Sequence, residues 1–213
     1  MAVLHWQHTH PGWNLWLRWL IGTTGGVVLL LLASIPLNAF DLYAGEQAQA
    51  GGIGRFAVVL VISLGWLLTG GCFGLGQWWA ARGEIKGFGW WILATLAGYP
   101  AGSLLQQVLP GIRVPGWGGL WGGLSMLLSF GLALGVSQWL VLRGRVPRAG
   151  WWIVISIAGW LLANTLTNAA YLSGLYVEPL DLVTAFLIPT MVSGAGIVWL
   201  LQQRAEGLAA RQP

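Results

Sequence analysis

The sequence has very little charge. Only 8% of its 213 residues are Asp, Glu, Lys or Arg, whereas a soluble protein usually carries about 25%. Hydrophobic residues make up 56% of the chain, and the mean hydropathy is +0.71. Water would not solvate a surface of this composition, and the apolar runs leave no room for a soluble catalytic domain. The composition therefore predicts an integral membrane protein.

Groups that could act chemically within a membrane are also scarce. The single cysteine, Cys72, falls in an apolar run, which excludes a disulfide framework. The three histidines, His5, His8 and His10, all precede the first apolar run, where a short tail offers little to hold a metal ion. The central parts of the runs contain no acidic, basic or histidine side chain. We therefore expect no enzyme activity, no catalytic residue, no metal site and no ion-coupled transport.

Six apolar runs are each long enough to cross a bilayer as a helix, since a span needs about 20 residues. Strands would alternate over about ten residues, and these runs do not. The predicted fold is therefore all-α, a polytopic membrane protein with six transmembrane helices in a single domain over residues 1–213. The spans are predicted at 13–37, 56–81, 88–109, 118–142, 150–172 and 181–203.

The basic residues predict the orientation of these spans, because Lys and Arg concentrate in cytoplasmic segments. Eight of the ten lie at the ends and connections of one side, and only Arg55 and Arg113 lie at the other. An even number of spans then places both termini in the cytoplasm. Ten dispersed cations form no basic stripe, so we expect the lipid bilayer as a partner and no nucleic acid.

An internal repeat links two of the predicted helical hairpins. A shift of 61 residues aligns residues 77–99 with 138–160 without a gap, and ten of the 23 positions are identical. The identities include tryptophan and glutamine, which are rare residues, so chance is a poor explanation. Each copy predicts a hairpin with its tight turn at the cytoplasmic face.

A third copy is predicted from weaker similarities at the two ends of the chain. The same shift carries Arg143 to Arg204, so the last span resembles the first helix of a copy. The first span resembles the second helix through Gly12, Trp13 and the segment 22–26. Three hairpins about a pseudo-threefold axis normal to the membrane would follow. Parallel repeats of this kind occur in transporters, but duplication also builds scaffolds.

Sixteen tryptophans are the most unusual feature of the composition. Those beside the hairpin turns are typical of an aromatic belt at headgroup depth, where the ring is buried and the N–H stays wet. Contact with a pigment or quinone is the alternative for these residues, which are Trp78, Trp90, Trp91, Trp139, Trp151 and Trp152. Trp66 and Trp121 are candidates for contact with a lipid-like cofactor, such as a lipid, carotenoid or quinone.

Gln77 and Gln138 are predicted one turn inside the cytoplasmic boundary, where Arg82 and Arg143 close their helices. An Arg at a helix C terminus interacts favourably with the helix dipole, and a Gln hydrogen-bonds to a neighbouring helix. The alternative is a ligand site in which these two glutamines hold a cofactor. Arg82, Arg143 and Arg204 would then contact anionic headgroups.

A polar group is predicted at the outer ends of the repeated helices. Spacings of three and four residues place its members on one face of each helix. They are Ser103, Gln106, Gln107, Asn164, Thr167 and Asn168. Bonding between helices is one interpretation, and a site for a small polar solute or a headgroup is the other. Glycines four residues apart, as at Gly22/Gly26 and Gly70/Gly74, predict close helix packing.

The tandem Gln-Trp-x3-Arg-Gly and Gly-Trp-Trp signature resembles poorly characterised bacterial multi-span membrane proteins with repeated Gln-Trp/Arg hairpins. The resemblance covers residues 77–99 and 138–160 and implies a bacterial inner-membrane protein, but no activity. The abundant tryptophan and glycine, the lack of charge in the central parts of the spans and the lack of a soluble domain lead us to expect a non-catalytic subunit or scaffold of a larger membrane complex, such as an electron-transfer or photosynthetic one. It would pack against partner helices and hold lipid-like molecules. A small uncoupled transporter or channel for a small polar solute is the alternative.

Overall fold

The computed structural model describes the backbone of residues 12–49, 53–108, 118–174 and 178–209, and side chains within 12–32, 64–106, 128–170, 172–174 and 186–206. The regular structure of these residues consists of six α-helices without a strand, which confirms the all-α prediction. The helices are α1 (Trp13–Gln49), α2 (Ile53–Ala81), α3 (Trp90–Val108), α4 (Gly118–Leu142), α5 (Trp151–Leu172) and α6 (Glu178–Ala209).

Each predicted span corresponds to one helix. The largest differences are at the ends of α1 and α6, which continue to Gln49 and Ala209, past the predicted span ends at 37 and 203. The predicted ends mark where the apolar run stops. A helix satisfies its backbone hydrogen bonds internally, so it continues into polar sequence without a penalty.

The helices pack in a closed ring. Each helix contacts the next one along the chain, and α1 also packs against α6. Two tryptophans of α1 make this closing contact: Trp16 Nε1 donates to the Met191 carbonyl and Trp19 Nε1 donates to Ser193 Oγ, both at 3.2 Å. The interior of the bundle is therefore bounded by all six helices.

Glycine permits the closest contacts between the helices. Gly22 of α1 and Gly76 of α2 face each other, and a Cβ atom on either would collide with the backbone carbonyl of the other. A Cβ on Gly70 of α2 would lie 2.7 Å from Leu96 Cα of α3. Small residues at such crossings are typical of membrane helices, which gain stability from close van der Waals packing.

The turns that connect α2 to α3 and α4 to α5 have the same length and similar local structure, although Gly144 has a φ of 76° and its equivalent Gly83 does not have a positive φ. Each contains eight residues, 82–89 and 143–150. Gly87 has a φ of 74°, and Arg148, which is its equivalent at a shift of 61 residues, has a φ of 56°. The left-handed conformation costs a non-glycine residue about 1–2 kcal/mol. Arg148 is therefore held by its surroundings in a conformation that Gly87 adopts freely.

Several polar side chains are buried in the bundle, and many large apolar side chains are exposed on its surface. Gln77 and Gln138 are buried, whereas Leu104 and Ile21 are 63% and 62% exposed. Among the described residues, three helical segments are long and apolar enough to cross a membrane: Trp13–Leu32, Trp151–Ala170 and Phe186–Glu206. Apolar helices and an apolar surface indicate a membrane environment.

Candidate functional site

The interior of the bundle is arranged in three layers. Residues four apart share one face of a helix, and on α3 the inward face carries Trp91, Thr95 and Tyr99 in that order. The same order of tryptophan, hydroxyl and aromatic residue occurs on α5, at Trp152, Ser156 and Trp160. The bundle therefore has a tryptophan layer near the hairpin turns, a polar layer next to it, and an aromatic layer beyond.

Three tryptophans form the layer nearest the turns, and we call Trp19, Trp91 and Trp152 the tryptophan triad. All three are fully buried. Their rings meet edge to face, with centroids 5.8 Å apart for Trp19–Trp91, 6.2 Å for Trp19–Trp152 and 5.3 Å for Trp91–Trp152. Edge-to-face contact is a favoured geometry for aromatic pairs. The triad fills the bundle at this level with apolar ring surface.

The triad differs from the aromatic belt predicted for the tryptophans beside the turns. In each Trp-Trp pair the first ring is exposed, 64% for Trp90 and 54% for Trp151, while the second, Trp91 or Trp152, is buried. Successive residues of a helix point about 100° apart, so one indole faces outward and the next faces the interior. The belt interpretation is therefore wrong for Trp91 and Trp152.

The polar layer joins four helices through hydrogen bonds. Gln77 Oε1 accepts from Trp91 Nε1 at 2.8 Å. Gln138 Oε1 accepts from Trp152 Nε1 at 3.0 Å. The Gln138 amide then donates to Thr95 Oγ1 at 2.9 Å and, more weakly, to Gln77 Oε1 at 3.5 Å. Because an indole N–H only donates, it fixes which end of each glutamine amide faces the triad.

The arginines that follow the glutamines lie at the surface beside the turns. The Arg82 guanidinium is 5.6 Å from the centroid of the Trp78 ring, and Arg143 is 5.7 Å from that of Trp139. Both distances permit a cation–π interaction. These positions leave Arg82 and Arg143 at the periphery of the bundle, away from the two glutamines. Arg204, on α6, is half-buried.

A small cavity, which we call the polar chamber, lies within the polar layer. Its volume is about 40 Å³. Amides, hydroxyls and a phenol supply the polar part of its wall, and aromatic and aliphatic side chains supply the rest. The wall consists of Phe73, Gln77, Thr95, Tyr99, Leu134, Gln138, Trp152, Ser156, Trp160, Phe186, Pro189, Thr190 and Ser193.

The aromatic layer lies on the side of the polar chamber away from the triad. Trp66 stacks on Tyr99, with centroids 6.0 Å apart and an interplanar angle of 17°, and its centroid is 4.7 Å from that of Phe130. Phe130 in turn stacks on Trp160 at 5.7 Å. Trp66, predicted to contact a lipid-like ligand, therefore packs on aromatic residues of α3 and α4. The side chain of Trp121 lies outside the described residues.

The chemistry of this site is that of uncharged hydrogen-bonding groups. The described residues contain no group of three His, Cys, Asp or Glu that could hold a metal ion. Comparison with protein-family models, curated proteins and solved structures finds no match. The geometry of the polar layer can bind and orient a neutral molecule that both donates and accepts hydrogen bonds.

The predicted outer polar group is divided between α3 and α5, which are separated in the ring by α4. Asn168 Nδ2 donates to the Asn164 side-chain oxygen at 2.8 Å and to its carbonyl at 2.9 Å. These bonds join residues of one helix. Three further members, Ser103, Gln106 and Thr167, are half-buried, and the side chain of Gln107 lies outside the described residues.

Two apolar grooves run along α6. One lies between α6 and α1 and has a volume of about 520 Å³, and the other lies between α6 and α5 and has a volume of about 570 Å³. Trp199 lines both. Arg148 stands at the turn end of the second groove, where its guanidinium donates to Gln203 Oε1 at 3.1 Å.

Sequence reasoning missed the third member of the triad and the hydroxyls of the polar layer. A tryptophan is followed after four residues by a threonine or serine four times, at Trp19/Thr23, Trp91/Thr95, Trp121/Ser125 and Trp152/Ser156, and three of these tryptophans form the triad. The predicted third copy was instead aligned on Gly12 and Trp13. A search for the Trp-x3-Thr/Ser pattern would have found the inward face of α1.

Proposed function

We propose that the protein is a non-catalytic membrane subunit or scaffold that holds an amphipathic, lipid-like molecule against α6. In this proposal all six helices cross the inner membrane of a bacterium, with both termini and the two hairpin turns in the cytoplasm. The helices form three hairpins around a pseudo-threefold axis. The closed ring, the exposed apolar surface, the matching contacts of the two repeated hairpins and the triad support it.

The groove between α5 and α6 is the observation that carries the proposal. Val154, Ile155 and Ala158 line its length, and Arg148 stands at its turn end. Burial of an acyl or isoprenoid chain stabilises binding by about 0.8 kcal/mol per CH₂ group. A basic residue near the membrane surface adds about 1 kcal/mol of attraction for an anionic headgroup. A molecule with an anionic head and an apolar chain, such as an anionic phospholipid with one of its two acyl chains in the groove, matches both parts of the groove.

Native mass spectrometry of the purified protein tests this proposal. Ala195 lines both grooves, so Ala195→Trp should fill them and remove the retained lipid. Arg148→Gln should reduce retention of anionic lipid relative to neutral lipid. Leu104→Trp, at an exposed position of α3, is the matched control and should retain lipid as the wild-type protein does. Equal lipid retention by Ala195→Trp and the wild-type protein would contradict the proposal.

Partner subunits are proposed to pack on the remaining exposed apolar surface. Large side chains such as Trp13, 73% exposed, support a surface that meets either lipid or other helices. Purification in a mild detergent at native abundance separates these possibilities. A stable stoichiometric partner is expected, and a monomer without co-purifying protein would remove the subunit role while leaving lipid binding intact.

A second function, an uncoupled transporter or channel for a small polar solute, is favoured by one observation. The polar chamber lies within the bundle and is lined by side chains of α2 to α6. Trp152, Tyr99 and Trp160 form part of its wall, so a solute that crosses the bundle by this route passes these rings. Flux of water or a small neutral solute into proteoliposomes, reduced by Ser156→Leu, would support this function. Flux equal to that of protein-free liposomes would remove it.

A further inference from the structure

One buried hydroxyl of α1 lacks a hydrogen-bond partner, although its residue, Thr23, does not line the polar chamber. Thr23 Oγ1 is buried and unpaired, although Thr23 follows a triad tryptophan by the same four residues as Thr95. Thr95 Oγ1 donates to the Trp91 carbonyl at 2.9 Å and accepts from the Gln138 amide at 2.9 Å. Buried polar groups in proteins are nearly always paired. The Thr23 hydroxyl is therefore an unsatisfied group where α1 packs against α2.

The side-chain amide of Gln77 is a second group that can form a further hydrogen bond. Its oxygen accepts from Trp91, so its NH₂ group is directed away from the indole. In the other hairpin the corresponding NH₂, on Gln138, reaches Thr95 on the preceding helix. The helix that precedes Gln77 in the ring is α1, which carries Thr23. The Gln77 amide and the Thr23 hydroxyl therefore belong to neighbouring helices, and of these two residues Gln77 lines the chamber.

Three hydroxyl groups in the wall of the polar chamber use their hydrogens within their own helices, so their oxygens can accept hydrogen bonds. Thr95, Thr190 and Ser193 each donate to a carbonyl of their own helix, at 2.9, 2.6 and 3.1 Å. Each hydroxyl oxygen has two lone pairs, so these residues retain acceptor capacity. Ser156 supplies a fourth hydroxyl in the wall. A molecule in the chamber would donate to these oxygens and accept from the Gln77 amide.

Size and charge limit what the chamber can hold. A volume of about 40 Å³ corresponds to roughly three water molecules, since one water requires about 10–15 Å³. No wall residue carries a charge at neutral pH, and an unpaired ion is strongly disfavoured in such surroundings. Trp152 of the triad and Tyr99 and Trp160 of the aromatic layer form part of the chamber wall.

We propose that the polar chamber is a binding site for small uncharged molecules of one to three heavy atoms that both donate and accept hydrogen bonds. Water is the simplest member of this class, and ammonia and methanol share its chemistry. The bound molecules complete the hydrogen bonds between Gln77 and the hydroxyls of Thr95, Ser156 and Thr190. This site is separate from the grooves along α6 and does not depend on lipid binding.

Nuclear magnetic resonance of the protein in lipid nanodiscs, with the tryptophan indoles labelled with ¹⁵N, tests this site. The indole N–H groups of Trp91 and Trp152 should show cross-peaks to long-lived water. Methanol should shift both resonances in a saturable manner, whereas tetramethylammonium, which is charged and larger, should not. A chamber without water cross-peaks and without a saturable methanol shift would overturn the proposal.

Substitution of Ser156 distinguishes a binding site from inert packing. Ser156→Val replaces the hydroxyl with methyl groups and should weaken methanol binding at least tenfold, while Ser156→Thr keeps the hydroxyl and should preserve water cross-peaks. Ser103→Val, on the outer part of α3, is the control and should leave both signals unchanged. The indole N–H of Trp16, which donates to the Met191 carbonyl across the contact between α1 and α6, reports on folding in each variant. Wild-type methanol binding by a folded Ser156→Val protein would overturn the proposal, whatever the outcome of the lipid experiment.

Discussion

Gln138 connects three helices, so its replacement should destabilise the bundle more than any other single change in the polar layer. Its oxygen accepts from Trp152 Nε1 at 3.0 Å, and its amide donates to Thr95 Oγ1 at 2.9 Å. Leucine has a similar size and cannot make either bond. Gln138→Leu therefore leaves the buried indole N–H of Trp152 without a partner.

The expected loss follows from two contributions. Hydrogen bonds between membrane helices are worth about 0.6–1.7 kcal/mol each, and an orphaned buried donor costs about 1–3 kcal/mol. The two ranges are not added, because both describe the loss of the same hydrogen bonds. We therefore expect Gln138→Leu to lower the free energy of unfolding by about 2 kcal/mol. Gln77→Leu, which removes the bond to Trp91 and only a weak second one, should cost less.

Equilibrium unfolding in mixed micelles, with increasing mole fraction of sodium dodecyl sulfate and near-ultraviolet circular dichroism as the signal, measures this loss. Gln106→Leu is the matched control, because Gln106 is half-buried on the outer part of α3, and it should change stability by less than about 0.5 kcal/mol. A double-mutant cycle with Trp152→Phe should give a coupling energy of about 1 kcal/mol. A Gln138→Leu protein as stable as the wild type would refute the view that the polar layer holds the helices together.

Three further predictions concern the backbone contacts and the turns, and all use the same unfolding assay. Gly76→Ala should cost about 1–3 kcal/mol because the new Cβ meets the backbone of α1, whereas Gly25→Ala, which meets nothing within 4 Å, should cost nothing; equal effects would exclude the close crossing. Arg148→Gly should keep stability or raise it by up to about 1 kcal/mol, because residue 148 has a positive φ. Gly87→Ala should lower stability by about 1 kcal/mol for the same reason. A loss of stability in Arg148→Gly together with a gain in Gly87→Ala would contradict the shared positive φ at these two positions. Glu84→Gln removes the ion pair of Glu84 with Arg18 of α1, at 2.7 Å, and should lower the free energy of unfolding by less than about 1 kcal/mol because Arg18 is half-exposed. A larger loss of stability would show that the pair fixes the end of α1.

The helices were predictable from the sequence because each long apolar run must satisfy its backbone hydrogen bonds internally. The hydrogen bonds of Gln77 and Gln138 to a neighbouring helix were one of two interpretations, and the structure contains such bonds. Six membrane crossings remain a prediction, since the described parts of three helices meet the length and hydropathy of a span.

The interior faces of the helices were not predictable in the same way. Most positions of these helices are apolar or small, so amphipathic periodicity does not distinguish the face toward the ring from the face toward the membrane. Trp90 and Trp91 are adjacent and identical in chemistry, yet one is exposed and the other is buried. Thr95 and Ser156 were missed because they are equivalent at the shift of 61 residues but not identical, so the identities of the repeat did not include them.

The labelling of single cysteines with a membrane-impermeant maleimide tests the central claim, a ring of six membrane-crossing helices with both hairpin turns on one side. In a Cys72→Ser background, Gly83→Cys and Gly144→Cys report on the two turns, and Ser173→Cys reports on the opposite end of α5. The account predicts that the two turn positions react only in inverted vesicles and that Ser173→Cys reacts only in right-side-out vesicles. Reaction of all three positions from the same side of the membrane would contradict it.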